Sequence, residues 1–325
     1  MAPRHRLVAL VVLLGLAAAL AGAPTPLPAQ AKRLVTIASG WVVGVYYPLA
    51  GAMSRIVYKA KDLNLRATVE SSGASVANAK LIGGGEAEFA LLQNDIAYYA
   101  HNGTEMFKDQ AVKNMGGVFS IYPELIHLVA TTASGIKSPK DLKGKSVAIG
   151  PLGSGTEANA VQILEAYGLG VKDLGKAERI GAGEAADALK DGRADAAFFT
   201  VGLGGAVIVD TFVTGKVVLV PITGMEAEAL KKRYPFYTTT PVPANTYKGQ
   251  EKEVATVAVM AMMVARGDLP EDLVYRFTKA IFDDLAQFHA AHAAAKHLTL
   301  KTALDGMPIP LHPGAEKFYK EKGVK

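Results

Sequence analysis

Short apolar runs alternate with amphipathic stretches along most of the chain, and their lengths predict alternating strands and helices. Residues 34–39 (LVTIAS) read as a buried strand. Residues 46–59 read as a helix with Pro48 in its first turn, where the missing N–H is one of the orphan donors anyway. Strands over 65–71 and 87–92 and helices over 75–83 and 94–101 follow. The alternation returns as strand 146–149, helix 156–167, strand 177–180, helix 184–191 and strand 194–199. Such alternation predicts right-handed βαβ units and mostly parallel sheets flanked by helices. Residues from Pro270 onward read as chiefly helical. The apolar run from Val254 to Val264 is too short to span a bilayer and reads as a buried strand.

The pattern also repeats. Gly85-Glu86-Ala87-Glu88-Phe89-Ala90-Leu91-Leu92-Gln93 and Gly192-Arg193-Ala194-Asp195-Ala196-Ala197-Phe198-Phe199-Thr200 share Gly-x-Ala-acid-x-Ala, two apolar residues and a polar one. Gly73 and Leu81 have counterparts in Gly181 and Leu189, and the strand ending at Gly40 has one ending at Gly150. Two similar α/β lobes are therefore expected. The chain crosses between them near Tyr122 to Leu128 and returns near Thr238 to Asn245. Residues 32–123 with 246–325 would form one lobe and 124–245 the other.

The first thirty residues stand apart from this pattern. Arg4, His5 and Arg6 precede a wholly apolar stretch over 7–22, then a Pro- and Ala-rich segment ending Pro28-Ala29-Gln30-Ala31. This predicts a secretory signal peptide cleaved near Ala29 to Ala31, the alternative being an uncleaved anchor. Without it the chain keeps 33 basic against 30 acidic residues, a balance that implies no nucleic-acid partner. The chain has no Cys, which excludes disulfides, thiolate metal sites and thiol nucleophiles. A mature exported protein, periplasmic and monomeric, is the expectation.

In open parallel sheets, ligands bind beyond the carboxyl ends of the strands. Polar and Gly-rich residues fall there: Ser39-Gly40, Ser72-Gly73, Gln93-Asn94, Gly153-Ser154-Gly155-Thr156 and Thr200. The start of helix 156–167 would add free N–H donors and a partial positive charge suited to a carboxylate. Ser154 and Thr156 also fit plain helix capping. For a ligand amine, Glu70, Asp95, Glu157 and Glu184 flank the loops, and no Arg stands among them.

At these positions the chain resembles a known family. The segments Gly40-x-x-x-Gly44-Val45-Tyr46-Tyr47-Pro48, Ser72-Gly73-x-Ser75-Val76-x-Asn78, Gln93-Asn94-Asp95-Ile96-Ala97-Tyr98-Tyr99 and Gly153-Ser154-Gly155-Thr156-Glu157-x-Asn159-Ala160 match the TAXI family of TRAP-transporter solute receptors. So do Phe199-Thr200-Val201-Gly202, Tyr234-Pro235-Phe236-Tyr237 and the tail from Pro308 to Ala315, and the resemblance spans residues 34–324. It implies a two-lobed, type-II-like periplasmic binding fold that closes on a small solute, without a cofactor, and delivers it to TRAP permease membrane subunits. Its implied ligands are glutamate or related small dicarboxylates. Its implied contacts are Gly44, Tyr46, Ser72, Gly73, Gln93 and Asn94 from one lobe, and Ser154, Gly155, Thr156 and Thr200 from the other. Trp41-Val42-Val43 departs from the small hydroxyl residues usual there, which favours a less polar carboxylate.

A rival reading is a dinucleotide-binding enzyme, since Gly153-Ser154-Gly155-Thr156-Glu157-Ala158 fits G-x-G-x-x-A with Glu184 after the next strand. The leader, the repeat and the lack of a proton-transfer set speak against it. There is no P-loop or nucleophile elbow. His289, His292 and His297 read as solvated surface rather than a metal site, and His312 as a structural residue in a turn.

Overall fold

In the computed structural model, which describes residues 32–61 and 63–324, the chain opens on strands and helices in strict alternation. These are β1 (Arg33–Ala38), α1 (Tyr46–Lys59), β2 (Leu65–Glu70), α2 (Ser75–Gly83), β3 (Phe89–Gln93) and α3 (Asn94–Asn102). A 17-residue strand, β4 (Met115–Thr131), leads into a second round. It comprises β5 (Ser146–Ala148), α4 (Gly155–Ala166), β6 (Lys176–Glu178), α5 (Ala182–Lys190) and β7 (Ala196–Gly202). Then come α6 (Ala206–Phe212), β8 (Val217–Val220), α7 (Gly224–Arg233), β9 (Thr238–Val242) and β10 (Val254–Arg266). Helices α8 (Glu271–Asp283), α9 (Leu285–His289) and α10 (Pro313–Lys322) close the chain. The expected signal peptide lies outside the described residues, and no described helix is long and apolar enough to cross a membrane.

All ten strands form one sheet in the order β2-β1-β3-β10-β4-β7-β5-β6, with β8 on β4 and β9 on β10. Its flanks are parallel, as the alternation predicts, with β1 joining β2 and β3, and β5 joining β6 and β7. Its centre is antiparallel, because β10 runs against β3, β4 against β10 and β7 against β4. The two halves therefore meet end to end along these long strands. Gln93, the last residue of β3, pairs with Ala261, which pairs with Tyr122; two residues on, Glu124 pairs with Gly202, the last residue of β7.

Helices cover both faces of the sheet, giving two cores. One lies under α1, α5, α6, α8 and α10, the other under α2, α3, α4 and α7. Side chains of β10 alternate between them as a pleat requires, but the parity changes along the strand. Val257 and Val259 enter the second core, and so do Met262 and Val264. The register shift between Ala261 and Met262 falls between these two pairs, and its extra residue, Ile121, lies on the facing strand β4.

The sequence repeat is a repeat of hydrogen bonds. Gly85 and Gly192 take positive φ (76° and 71°) in equivalent turns. The acid before each third strand then reaches the first strand of its half: Glu88 Oε2 accepts from Thr36 N at 2.8 Å, and Asp195 Oδ2 from Ser146 N at 2.9 Å. At the strand ends, helix hydroxyls take the backbone N–H: Ser75 Oγ accepts from Gln93 N and Thr156 Oγ1 from Thr200 N.

Asn94 anchors the start of α3. Its Oδ1 accepts from Met260 N at 3.0 Å, and its Nδ2 donates to Gly306 O at 3.0 Å. Removing the amide strands a buried donor and acceptor, each costing about 1–3 kcal/mol. Asn94→Ala is therefore expected to lower unfolding stability by roughly 2–4 kcal/mol in denaturant melts, with ligand affinity little changed.

Candidate functional site

Five helices start at the meeting point of the two halves. Tyr46 of α1, Ser75 of α2, Thr156 of α4, Ala182 of α5 and Val207 of α6 line one cleft there, with Gly40, Trp41, Gly44, Gln93, Glu124, Phe199, Thr200 and Val201. Each start contributes unpaired N–H groups and the positive end of a helix dipole. At α4, the Gly155 and Thr156 N–H groups make no hydrogen bond to the described protein, while Ser154 Oγ takes Glu157 N at 3.1 Å. The cleft is tight, with about 30 Å³ of free space, room for water but not for a solute.

Gln93 is what fills it. A Cβ on Gly155 would lie 2.1 Å from Gln93 Oε1, so the amide from one half sits directly on the glycine of the other. Gln93 is only 3 % exposed, and its Oε1 has no hydrogen-bond partner.

Glu124, on β4, is the one acid of the lining. It is 3 % exposed. Tyr46 OH donates to its Oε2 at 2.6 Å, and Tyr122 OH reaches its Oε1 at 3.4 Å. Burial pushes its carboxyl from 4.5 to about 8, against the two phenol hydrogen bonds; the nearby Asp95 pushes the same way. No Lys, Arg or His lines the cleft.

Behind the cleft, buried side chains tie α3 to α4. Asn159 Nδ2 donates to Asp95 Oδ2 at 2.9 Å and to Tyr237 OH at 2.8 Å. Tyr237 OH donates to Gln162 Oε1, and Gln162 Nε2 to Tyr99 OH. Thr200 Oγ1 completes the chain on Asn159 Oδ1 at 2.9 Å. Phe236 packs beside Tyr98 and Tyr99, with ring centroids 4.9 and 5.9 Å away. Burial raises Asp95 from 3.8 to about 7, offset in part by hydrogen bonds from Ile96 N and Asn159.

Of the residues singled out in the sequence, the structure brings Gly44, Tyr46, Gln93, Gly155, Thr156 and Thr200 together around the cleft. Four others stand outside its lining. Ser72 Oγ donates to Asn78 Oδ1 and accepts from Ala74 N, so it builds the loop end, beside Gly73. Asn94 is the anchor described above, and Ser154 caps α4. Trp41 does line the cleft, while Val42 and Val43 are exposed.

The acids flanking the loops turn elsewhere. Glu157 pairs with Arg179 Nε at 2.6 Å, Glu184 caps its own helix, Glu70 is exposed, and Asp95 faces Asn159. Glu124 escaped the sequence reading, although the lone acid of a 17-residue, mostly apolar strand is a visible signal. His289, His292 and His297 are half-buried rather than solvated; His289 bonds Leu298 O and His292 caps a turn. No metal-binding group of side chains occurs among the described residues. His312 caps α10.

The chain belongs to the NMT1-like family, whose model matches residues 37–323. Its fold, a mixed sheet with helices on both faces, matches that of periplasmic binding proteins. PhnD1 of Prochlorococcus marinus in complex with methylphosphonate is similar at a TM-score of 0.53 and 12% identity, over 81% of this chain and 90% of that one. A periplasmic transporter matches at 0.53 and 14% identity, over 90% and 93%. A binding protein component of an ABC phosphonate transporter from Pseudomonas aeruginosa matches at 0.50 and 12% identity, over 81% and 79%.

The raised carboxyls carry a sign. A carboxyl whose folded value lies above its unfolded one stabilises the fold at low pH, and that stability fades as pH rises through the folded value. For Glu124 and Asp95 the window runs from about 4 to about 8. Thermal melts of the ligand-free protein are expected to show Tm falling across that window, with a shallower fall in Glu124→Gln.

Proposed function

We propose that this member of the NMT1-like family is an extracytoplasmic solute receptor. It takes a small carboxylate into the cleft between its two halves and hands it to a membrane permease, in the reading suggested by the TAXI resemblance one of the TRAP type. The observation that carries the proposal is the Gln93–Gly155 contact. A buried, unpartnered carbonyl oxygen from one half rests on the helix start of the other, and free N–H groups stand beside it. A ligand carboxylate moving onto the start of α4 satisfies those donors and displaces the amide. Charge-assisted bonds of about 1.5–3 kcal/mol each make three or four such contacts enough for micromolar binding after ordering costs.

Closure then follows from population shift. Only the closed state offers a ligand groups from both halves, so the ligand favours it. In this reading residues 32–123 with 246–325 form one lobe and 124–245 the other. The chain crosses within β4 and returns through β9, and the Asn159–Asp95 and Gln162–Tyr99 hydrogen bonds are the seam about which the lobes turn. Export behind a cleaved leader suits such a receptor.

Two features weigh on ligand class. PhnD1 holds methylphosphonate, whereas this cleft offers no cationic side chain to a doubly charged oxyanion. The dinucleotide reading fares worse: Glu184, the acid that would hold a ribose, is spent on its own helix cap.

The test is calorimetry and thermal shift on ligand-stripped protein with a panel of amino acids and dicarboxylates, at least one of which should bind and raise Tm. Thr156→Pro removes a backbone donor at a helix position that tolerates Pro and should weaken that ligand at least about 30-fold, the loss of one or two buried charge-assisted bonds, with the circular dichroism spectrum retained. Unchanged affinity in the variant would refute the helix-start site. Trp41, the only Trp of the chain, should change its emission on binding. An unaltered spectrum with a ligand that calorimetry detects would remove it from the cleft.

A further inference from the structure

We propose that the ligand carries an ammonium group beside its single carboxylate, and that Glu124 is the specificity-determining residue that receives it. The inference rests on the cleft being the solute site, and concerns which carboxylates it accepts.

The cleft offers partners of both signs. The starts of α1, α2, α4 and α5 supply N–H donors and partial positive charge to one carboxylate. In the same lining, Glu124 and Gln93 Oε1 are acceptors with too few donors. Glu124 has four lone-pair directions and two phenol partners, one of them at 3.4 Å, and Gln93 Oε1 has none. An ammonium brings three donors and a positive charge, matching both deficits. A second carboxylate on the ligand would have no Lys, Arg or His in the lining to pair with and could only lie beside Glu124 in its neutral form. The remaining wall, with Trp41, Phe199 and Val201, is apolar. The ligand class is therefore an α-amino acid with an uncharged, largely apolar body, and small dicarboxylates are disfavoured.

Protons follow from the same arrangement. Glu124 is faced by Tyr46 from α1, Tyr122 on its own strand and Asp95 from α3. Its carboxyl, raised to about 8, is mostly protonated in the empty cleft at neutral pH. An arriving ammonium favours the carboxylate, so the proton leaves for solvent as the ion pair forms. Amino-acid affinity should accordingly rise with pH up to about 8, and a ligand without the amine should show no such rise from Glu124.

The experiment pairs ligands that differ only in the amine: L-valine with 3-methylbutanoate, L-leucine with 4-methylpentanoate, and L-glutamate with glutarate. Each is titrated calorimetrically into the stripped protein at pH 6, 7 and 8.5, in buffers of different ionisation enthalpy to count protons. The expected result is that L-valine or L-leucine binds at least about 30-fold more tightly than its partner acid, the usual scale for one buried charge pair, and releases a proton below pH 8. In Glu124→Gln that preference and the proton release should both vanish, with residual binding of the partner acid retained. The titration of Asp95 persists in the variant and so subtracts out. Equal affinities within a pair, tighter glutarate than L-valine or L-leucine, or an amine preference surviving in Glu124→Gln would overturn the proposal. Failure of every carboxylate to bind would instead overturn the solute-site reading on which it rests.

Discussion

The structure depends on a carboxylate buried without a cation at the point where its two halves meet. Glu124 sits on β4 two residues beyond the pairing with β3's neighbour and directly opposite the end of β7. Two phenols are all that the protein offers it. Keeping such a group out of water is unfavourable unless it is neutralised or paired, and folding here chooses neutrality. A site held in that condition is poised for a charged partner. The burial that raises the carboxyl is supplied by the same helices whose starts ring the cleft, so the anion-favouring and cation-favouring groups of the site are one arrangement.

That arrangement follows from the repeat. Each half closes its third strand against its first through an acid that precedes the strand, Glu88 in one and Asp195 in the other. Each then presents the end of that strand, Gln93 or Thr200, to a helix hydroxyl. Because β10 runs antiparallel to β3, β4 to β10 and β7 to β4, the two flanks run in opposite directions and the two strand ends point toward each other instead of side by side. Loops that would be separate in a simple parallel sheet thus share one cleft. The irregularity in the β4–β10 pairing, with Ile121 as the extra residue on β4, sits at that junction.

Much of this was legible in the residues. Hydrophobic spacing located α1 and α2 to the residue, and the Gly-rich ends of strands pointed to Gly155, Thr156, Gln93 and Thr200. What stayed hidden has a common cause: the direction in which a polar side chain turns is decided by contacts far away in the chain. Ser72 and Asn94 look like ligand donors by position, yet Asn78 and Met260 claim them. Glu157 looks available until Arg179, 22 residues on, takes it. Glu124 was masked by the apolar strand around it, since a search for ligand groups among loops passes over strand interiors. The parity change along β10 has no signal in a run of Ala, Val and Met, and the register shift beside it has its extra residue on the facing strand.

The most direct measurement is the carboxyl carbon shift of Glu124 by NMR, assigned by its loss in Glu124→Gln and followed against pH in ligand-free protein. The account predicts a single titration centred near 8, with the resonance of the ionised form appearing at neutral pH once a bound ammonium faces it. A midpoint in the ordinary carboxylate range, near 4.5, would contradict it, because the acid would then be solvated or already paired and the cleft would have no charge to satisfy.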